Sequence, residues 1–181
     1  MLVCFDATVL CGALRVPTGI NFKLLTLAAE GVVLDGFTTD VAGLEFVRNA
    51  VQDGLGGVVY PPEVVEAFLD AFAPLFNPDN VEHAPVGRAL GGETWLHDRP
   101  VGEVVYHLTG HTHEELLADL PEQLRVTVGE LEPYDIHLVA AAVQRGADAI
   151  CSSNRRHLPE GQLVGKLQVV RPGTLARELG L

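Results

Sequence analysis

PYDIHLVAAAVQRGADAICSSNRRHLP, from Pro133 to Pro159, is the stretch that decides the fold. It reads as a helix opened by an acid, a glycine stop, a buried strand and a polar loop rich in arginine. Leu138, Val139, Ala142 and Val143 recur at helical spacing, and Pro133 suits a first helical turn, where its missing amide hydrogen costs nothing. Gly146 stands where a left-handed cap is wanted. Ala147 to Cys151 is a short apolar run broken only by Asp148, the pattern of a strand covered on both faces. A helix feeding such a strand predicts a parallel sheet, which delivers functional groups at the carboxyl ends of its strands. Those groups here are Ser152, Ser153, Asn154, Arg155, Arg156 and His157.

Toward the amino terminus, Leu2 to Phe5 reads as a brief strand closed by Asp6, whose carboxylate then lies at the same edge. Asp is also a good helix N-cap, so position leaves both roles open. Met1 to Leu14 has no basic leader and carries Asp6, so it reads as a first strand and turn rather than a secretory core. Asn21 to Glu30 predicts a helix with Phe22, Leu25, Ala28 and Ala29 inward and Gly31 as its stop. Val32 to Phe37 is a second, weaker strand. Thr38 or Thr39 caps the next helix, in which Val41, Leu44, Val47 and Val51 form an apolar stripe and Arg48 lies off it, toward solvent. Glu45 falls on the border of that stripe, where a carboxylate is either solvated or leans over the sheet edge. Pro61 and Pro62 start a further helix, with Val65, Phe68, Leu69 and Phe72 inward.

From Asn77 to Thr112, Gly and Pro interrupt the pattern. Thr94 to His97 and Glu103 to Leu108 flank Asp98-Arg99-Pro100-Val101-Gly102, a spacing that predicts a hairpin. Thr112 and Glu115 make a capping box for a short helix through Leu120, and Leu124 to Val128 reads as another strand. Lys166 to Val170 is the last strand and Pro172 to Leu181 a closing helix. The expected architecture is α/β: a three-layer α/β/α domain over residues 1–181 with a central, mostly parallel sheet. Residues 77–131 form an inserted irregular or hairpin segment within it.

At 181 residues, one domain buries roughly 70% of its unfolded surface, enough for a sizeable core. Hydrophobic residues make up 48% of the chain, but in runs far too short to span a bilayer, so a soluble cytoplasmic protein without a membrane partner is expected. Cys4, Cys11 and Cys151 are odd in number and lack paired spacing, which argues against a disulfide framework. The net charge of -12 disfavours a broad, salt-driven grip on nucleic acid. Charge distribution qualifies this: Arg145, Arg155, Arg156, Lys166, Arg171 and Arg177 are six of the twelve basic residues, which allows a basic rim on an acidic body.

Asp6, Glu45 and Asp135 have a common meeting point at the carboxyl edge of such a sheet. Clustered carboxylates repel unless a cation joins them, and hard oxygen ligands suit Mg²⁺ or Mn²⁺. A cation held this way orients a water and stabilises charge during in-line attack on a phosphodiester. An acid in a first helical turn also complements the helix dipole by about 0.3 to 1 kcal/mol, so spacing alone leaves Asp135 with two roles.

Three segments, VCFDATVL at the start, VAGLEFVRNAV around Glu45, and YDIHLVAAAVQRGADAICSSNRRHLP, occur in an order similar to that of a known family. In them the chain resembles the PIN-domain family, metal-dependent ribonucleases that include toxins of bacterial toxin-antitoxin pairs. The third segment is the most specific, and residues 77–131 find no clear counterpart. The resemblance implies a divalent-metal-dependent endoribonuclease in which Asp6, Glu45 and Asp135 are the catalytic, Mg²⁺- or Mn²⁺-binding acids. It implies that Asn154, Arg155, Arg156 and His157 meet the RNA substrate. A toxin would further have a small antitoxin protein as partner and form a homodimer. The family commonly places another Asp after the Asn of the final loop, where this chain has His157. Imidazole is a poor Mg²⁺ ligand, so the alternative is a catalytically degenerate PIN-like module for RNA binding or protein interaction.

Other polar residues read as structural. His107, His111 and His113, with His83 and His97 nearby, match no zinc spacing. His137 lies two residues beyond Asp135, hence on another helix face, as a packed or solvated residue. Asp148 reads as a turn residue at the entry to its strand.

Overall fold

Strands β1 (Leu2–Phe5), β2 (Asp35–Thr38), β3 (Ala149–Cys151), β4 (Gly161–Val164) and β5 (Leu167–Val170) form one sheet in the order β2-β1-β3-β5-β4. This is a computed structural model that describes residues 1–76, 99–128 and 133–181. β1 runs parallel to β2 and β3, and β3 parallel to β5, while β4 is antiparallel to β5 at one edge. The register sets Phe5 opposite both Thr38 and Cys151, so three strands end level. Asp6, Thr39 and Ser152 are the residues that follow those ends.

The central strands explain their own composition. Val3, Cys4 and Phe5, and their neighbours Ala149, Ile150 and Cys151, are all fully buried, as a parallel strand covered on both faces requires. Alternate residues then feed two separate cores. On one face Val3, Phe5, Ala149 and Cys151 pack with the helices Ala7–Arg15, Ile20–Glu30, Asp40–Arg48 and Pro62–Ala71. Phe46, Phe68 and Phe72 stack through that layer with ring centroids 5.1 Å and 4.8 Å apart. On the other face Cys4 and Ile150 pack with Leu138, Val139 and Ala142 of helix Pro133–Gln144, closed over by Leu120 and Leu124. The result is the three-layer α/β/α architecture with a mostly parallel sheet.

Four local expectations are corrected. A helix, Ala7–Arg15, follows Asp6 directly where a turn was expected. Its buried Val9, Leu10, Ala13 and Leu14 have helical spacing, and Gly12 masks the signal because it lets Asn21 pack where a Cβ would stand. Glu103 to Leu108, expected as a hairpin arm, lies in helix Val101–Thr109, which Pro100 starts and Gly110 ends at a φ of 76°. The proposed partner arm, Thr94 to His97, falls outside the described residues. Leu124 to Val128 is not a strand but part of helix Glu122–Val128, with Leu124 sealed into the second core. β4 was not foreseen, and β2 begins only at Asp35, leaving Val32 and Val33 exposed before it.

Several local readings hold. Thr112 and Glu115 form the capping box, each bonding the other's backbone amide, at 3.2 Å and 2.7 Å. Gly146 takes a φ of 65° after helix Pro133–Gln144. Among the described residues no helix is long and apolar enough to cross a membrane.

Candidate functional site

Asp6 occupies the N-cap position of helix Ala7–Arg15, yet its side chain does not cap that helix. Its Oδ2 instead accepts the hydroxyls of Thr8 at 2.7 Å and Ser152 at 2.5 Å. Each hydroxyl in turn accepts a backbone amide of the loop after β3: Ser153 N–H to Thr8 Oγ1 at 3.0 Å, and Asn154 N–H to Ser152 Oγ at 2.9 Å. The end of β1 and the loop after β3 are thus tied through one carboxylate, which is buried.

The loop has further supports. Asn154 Oδ1 accepts the amides of Arg156 and His157, at 3.3 Å and 3.1 Å, a side-chain turn that bends the chain back on itself. The Arg171 guanidinium, just beyond β5, donates to the carbonyls of Ser152 at 2.7 Å, Asn154 at 3.1 Å, and Leu158.

Glu45 reaches the same edge from helix Asp40–Arg48, which Thr39 caps by accepting the Ala42 amide at 3.1 Å. Burial pushes the Glu45 carboxyl up to about 7, and the charges of Asp6 and Asp135 add to that rise while Arg48 opposes it. Asp135, in the first turn of helix Pro133–Gln144, is buried. One cavity of about 340 Å³ is lined by Asp6, Glu45, Asp135, Asn154 and His157 together, with Thr8, Arg48 and Asn49. Among the described residues, no group of three or more His, Cys, Asp or Glu side chains is placed, as it stands, to hold a metal ion.

The structure therefore brings together five of the seven candidate residues. Arg155 and Arg156 are exposed and do not line the cavity. Three residues around it, Thr8, Arg48 and Arg171, escaped sequence reasoning. Ser152 was anticipated among the groups at the end of its strand, and Thr8 carried only a faint signal, three residues past the end of β1. Arg48 was read as solvent-facing but lines the cavity, and nothing in the local pattern marks Arg171. Helix Asp40–Arg48 also runs into a wider π-helical turn, Asn49–Asp53, which sequence periodicity did not register.

Groups outside the site behave as structural. His137 is buried and lines a second cavity of about 560 Å³ with Asp40, His111 and Asp119, away from the face Asp135 presents. Asp148 accepts the Leu2 amide at 2.8 Å and pairs with Lys166 at 2.7 Å; hydrogen bonding to Lys166, then to Leu2, holds its carboxyl below the usual range. Burial pushes the Cys4 and Cys151 thiols far up, so neither is an available nucleophile.

No family model, curated protein or solved structure matches this chain.

Proposed function

We propose that this chain is a divalent-metal-dependent endoribonuclease of PIN-domain type, with Asp6, Glu45 and Asp135 as its metal-binding acids. One observation carries the reading: the three carboxylates line a single cavity at the level ends of parallel strands, close enough for Asp6 and Asp135 to raise the Glu45 carboxyl. Such a concentration of like charge opposes folding, and proteins keep it mainly where a cation or a reaction needs it. The donor chemistry fits Mg²⁺ or Mn²⁺, because all three ligand groups are hard carboxylate oxygens. A bound cation would supply charge neutralisation and make a water acidic enough to lose a proton and become the nucleophile toward a phosphodiester.

The chain's own residues do the rest. Thr8 and Ser152 fix the orientation of Asp6 by occupying its Oδ2. Asn154, with its Oδ1 engaged by loop amides, offers its NH₂ to substrate as a donor. His157 brings an imidazole to the cavity wall, a nitrogen group beside the three carboxylates. Within this reading, a toxin with an antitoxin partner, a homodimeric state and a cytoplasmic location is the finer proposal.

His157 also supports a second reading, a catalytically silent RNA- or protein-binding module, since it brings an imidazole where a further hard ligand would strengthen the site. Cleavage of a labelled single-stranded RNA with Mg²⁺ or Mn²⁺ separates the two. Wild type cuts, and Asp6→Asn and Asp135→Asn lose at least about a hundredfold, if the nuclease reading holds. Equal residual activity in all three proteins sinks it.

A further inference from the structure

The candidate cavity is strongly acidic, yet an RNA substrate must bring a phosphate into it. Asp6, Glu45, Asp53 and Asp135 all line it. Even with a divalent cation bound, that field opposes the approach of a phosphodiester. Arg48 is the one Lys or Arg among the described residues lining this cavity. It stands three residues from Glu45, one helical turn along the same face, and its charge is felt by the Glu45 carboxyl.

The backbone helps to place it. Helix Asp40–Arg48 ends at Arg48 and continues as the π-helical turn Asn49–Asp53. Such wide turns are rare and frequently mark functional sites. This one keeps Arg48, Asn49 and Asp53 all on the cavity wall, while Ala50 points into the core and is fully buried. Among the described residues Arg48 has no ion-pair partner, so its charge is not consumed by a structural bridge. Guanidinium is a planar fork that fits two phosphate oxygens, and it stays charged at any working pH.

We infer that Arg48, rather than Arg155 or Arg156, is the residue that contacts the phosphate of an RNA substrate in this cavity. The inference rests on the proposed nuclease reading and assigns the substrate-anchoring group of the same site. Arg155 and Arg156 are exposed on the loop outside the cavity, where they add to a long-range field but do not reach its interior.

The test compares wild type, Arg48→Met, Arg48→Lys and the double variant Arg155→Met/Arg156→Met in the full chain. Binding is read by fluorescence anisotropy of a labelled single-stranded oligoribonucleotide in Ca²⁺ across a salt series, and cleavage by kcat and KM in Mn²⁺. Arg48→Met weakens binding by about ten- to a hundredfold and flattens the salt slope by about 0.7, the loss of one single-strand phosphate contact. Arg48→Lys recovers part of the affinity because it keeps the charge and loses the fork. It also serves if Arg48→Met proves unstable. The double variant changes affinity less than Arg48→Met does. If wild type binds and cleaves while both Arg48 variants match it, or the double variant is the weaker binder, the inference is overturned and the nuclease reading stands. If wild type neither binds nor cleaves, both fall.

Discussion

Ser152 Oγ donates a hydrogen bond of 2.5 Å to Asp6 Oδ2 across 146 positions of sequence, joining the end of β3 to the end of β1. Without it, Asp6 would be a buried carboxylate held, among the described residues, by Thr8 of the helix that follows it. Ser152→Ala removes a charge-assisted bond and also leaves the Asn154 amide without its acceptor. The expected cost is about 1.5 to 3 kcal/mol in denaturant unfolding. The metal-dependent cleavage rate should fall further than that stability change explains, because Asp6 gains freedom to rotate. A variant with wild-type unfolding and wild-type cleavage contradicts this role.

Arg171 makes a second test of loop placement. Its guanidinium satisfies the Ser152, Asn154 and Leu158 carbonyls, so truncation orphans several acceptors at once. Arg171→Ala should lose about 2 to 4 kcal/mol, and Arg171→Lys less. Hydrogen exchange locates the effect: amides of residues 153–158 should exchange much faster in Arg171→Ala, while those of β1 keep their protection. Uniform loss of protection across the sheet would mean that Arg171 supports the whole fold rather than the loop.

Asp40 gives a pH prediction away from the acidic cavity. Burial pushes its carboxyl up to about 6, well above the ordinary value of 3.8. In that window the folded chain holds a proton that the unfolded chain has released, so stability falls as pH rises from about 3.8 through 6. Asp40→Asn abolishes this slope. Above pH 7 the variant should be more stable than wild type by about 1 to 2 kcal/mol, reduced by the lost interaction with the helix dipole, and the two should converge near pH 3.5. Parallel pH–stability curves for the two proteins rule the assignment out.

How far the sequence led depended on where each signal was stored. The unit from Pro133 to Cys151 was legible because its periodicity, its proline, its left-handed glycine and its apolar strand are all local. Glu103 to Leu108 was misread because a central Pro-Val-Gly suggested a hairpin turn, while the stripe of Val101, Val104, Val105 and Leu108 was the stronger fact. A strand end and a helix start put Asp6 and Asp135 at one edge, with a second role open for each. Glu45, inside helix Asp40–Arg48, had only its place at the border of an apolar stripe, and the family resemblance tipped the choice for all three. Arg48 and Arg171 could not be anticipated, since a long side chain's destination depends on the neighbouring elements. The π turn after Arg48 and the register that brings β5 beside β3 exist only in the assembled fold.

The central claim is that Asp6, Glu45 and Asp135 hold one divalent cation between them. Removing one charge by Glu45→Gln should raise the melting temperature of the metal-free chain, because like charges no longer face one another. The direct measurement is calorimetric titration of Mn²⁺ into metal-free wild type, Asp6→Asn, Glu45→Gln and Asp135→Asn. The account predicts a saturable site in wild type, weakened by at least about tenfold in each variant. Wild-type protein that takes up no Mn²⁺, or variants that bind it as tightly as wild type, would contradict the account.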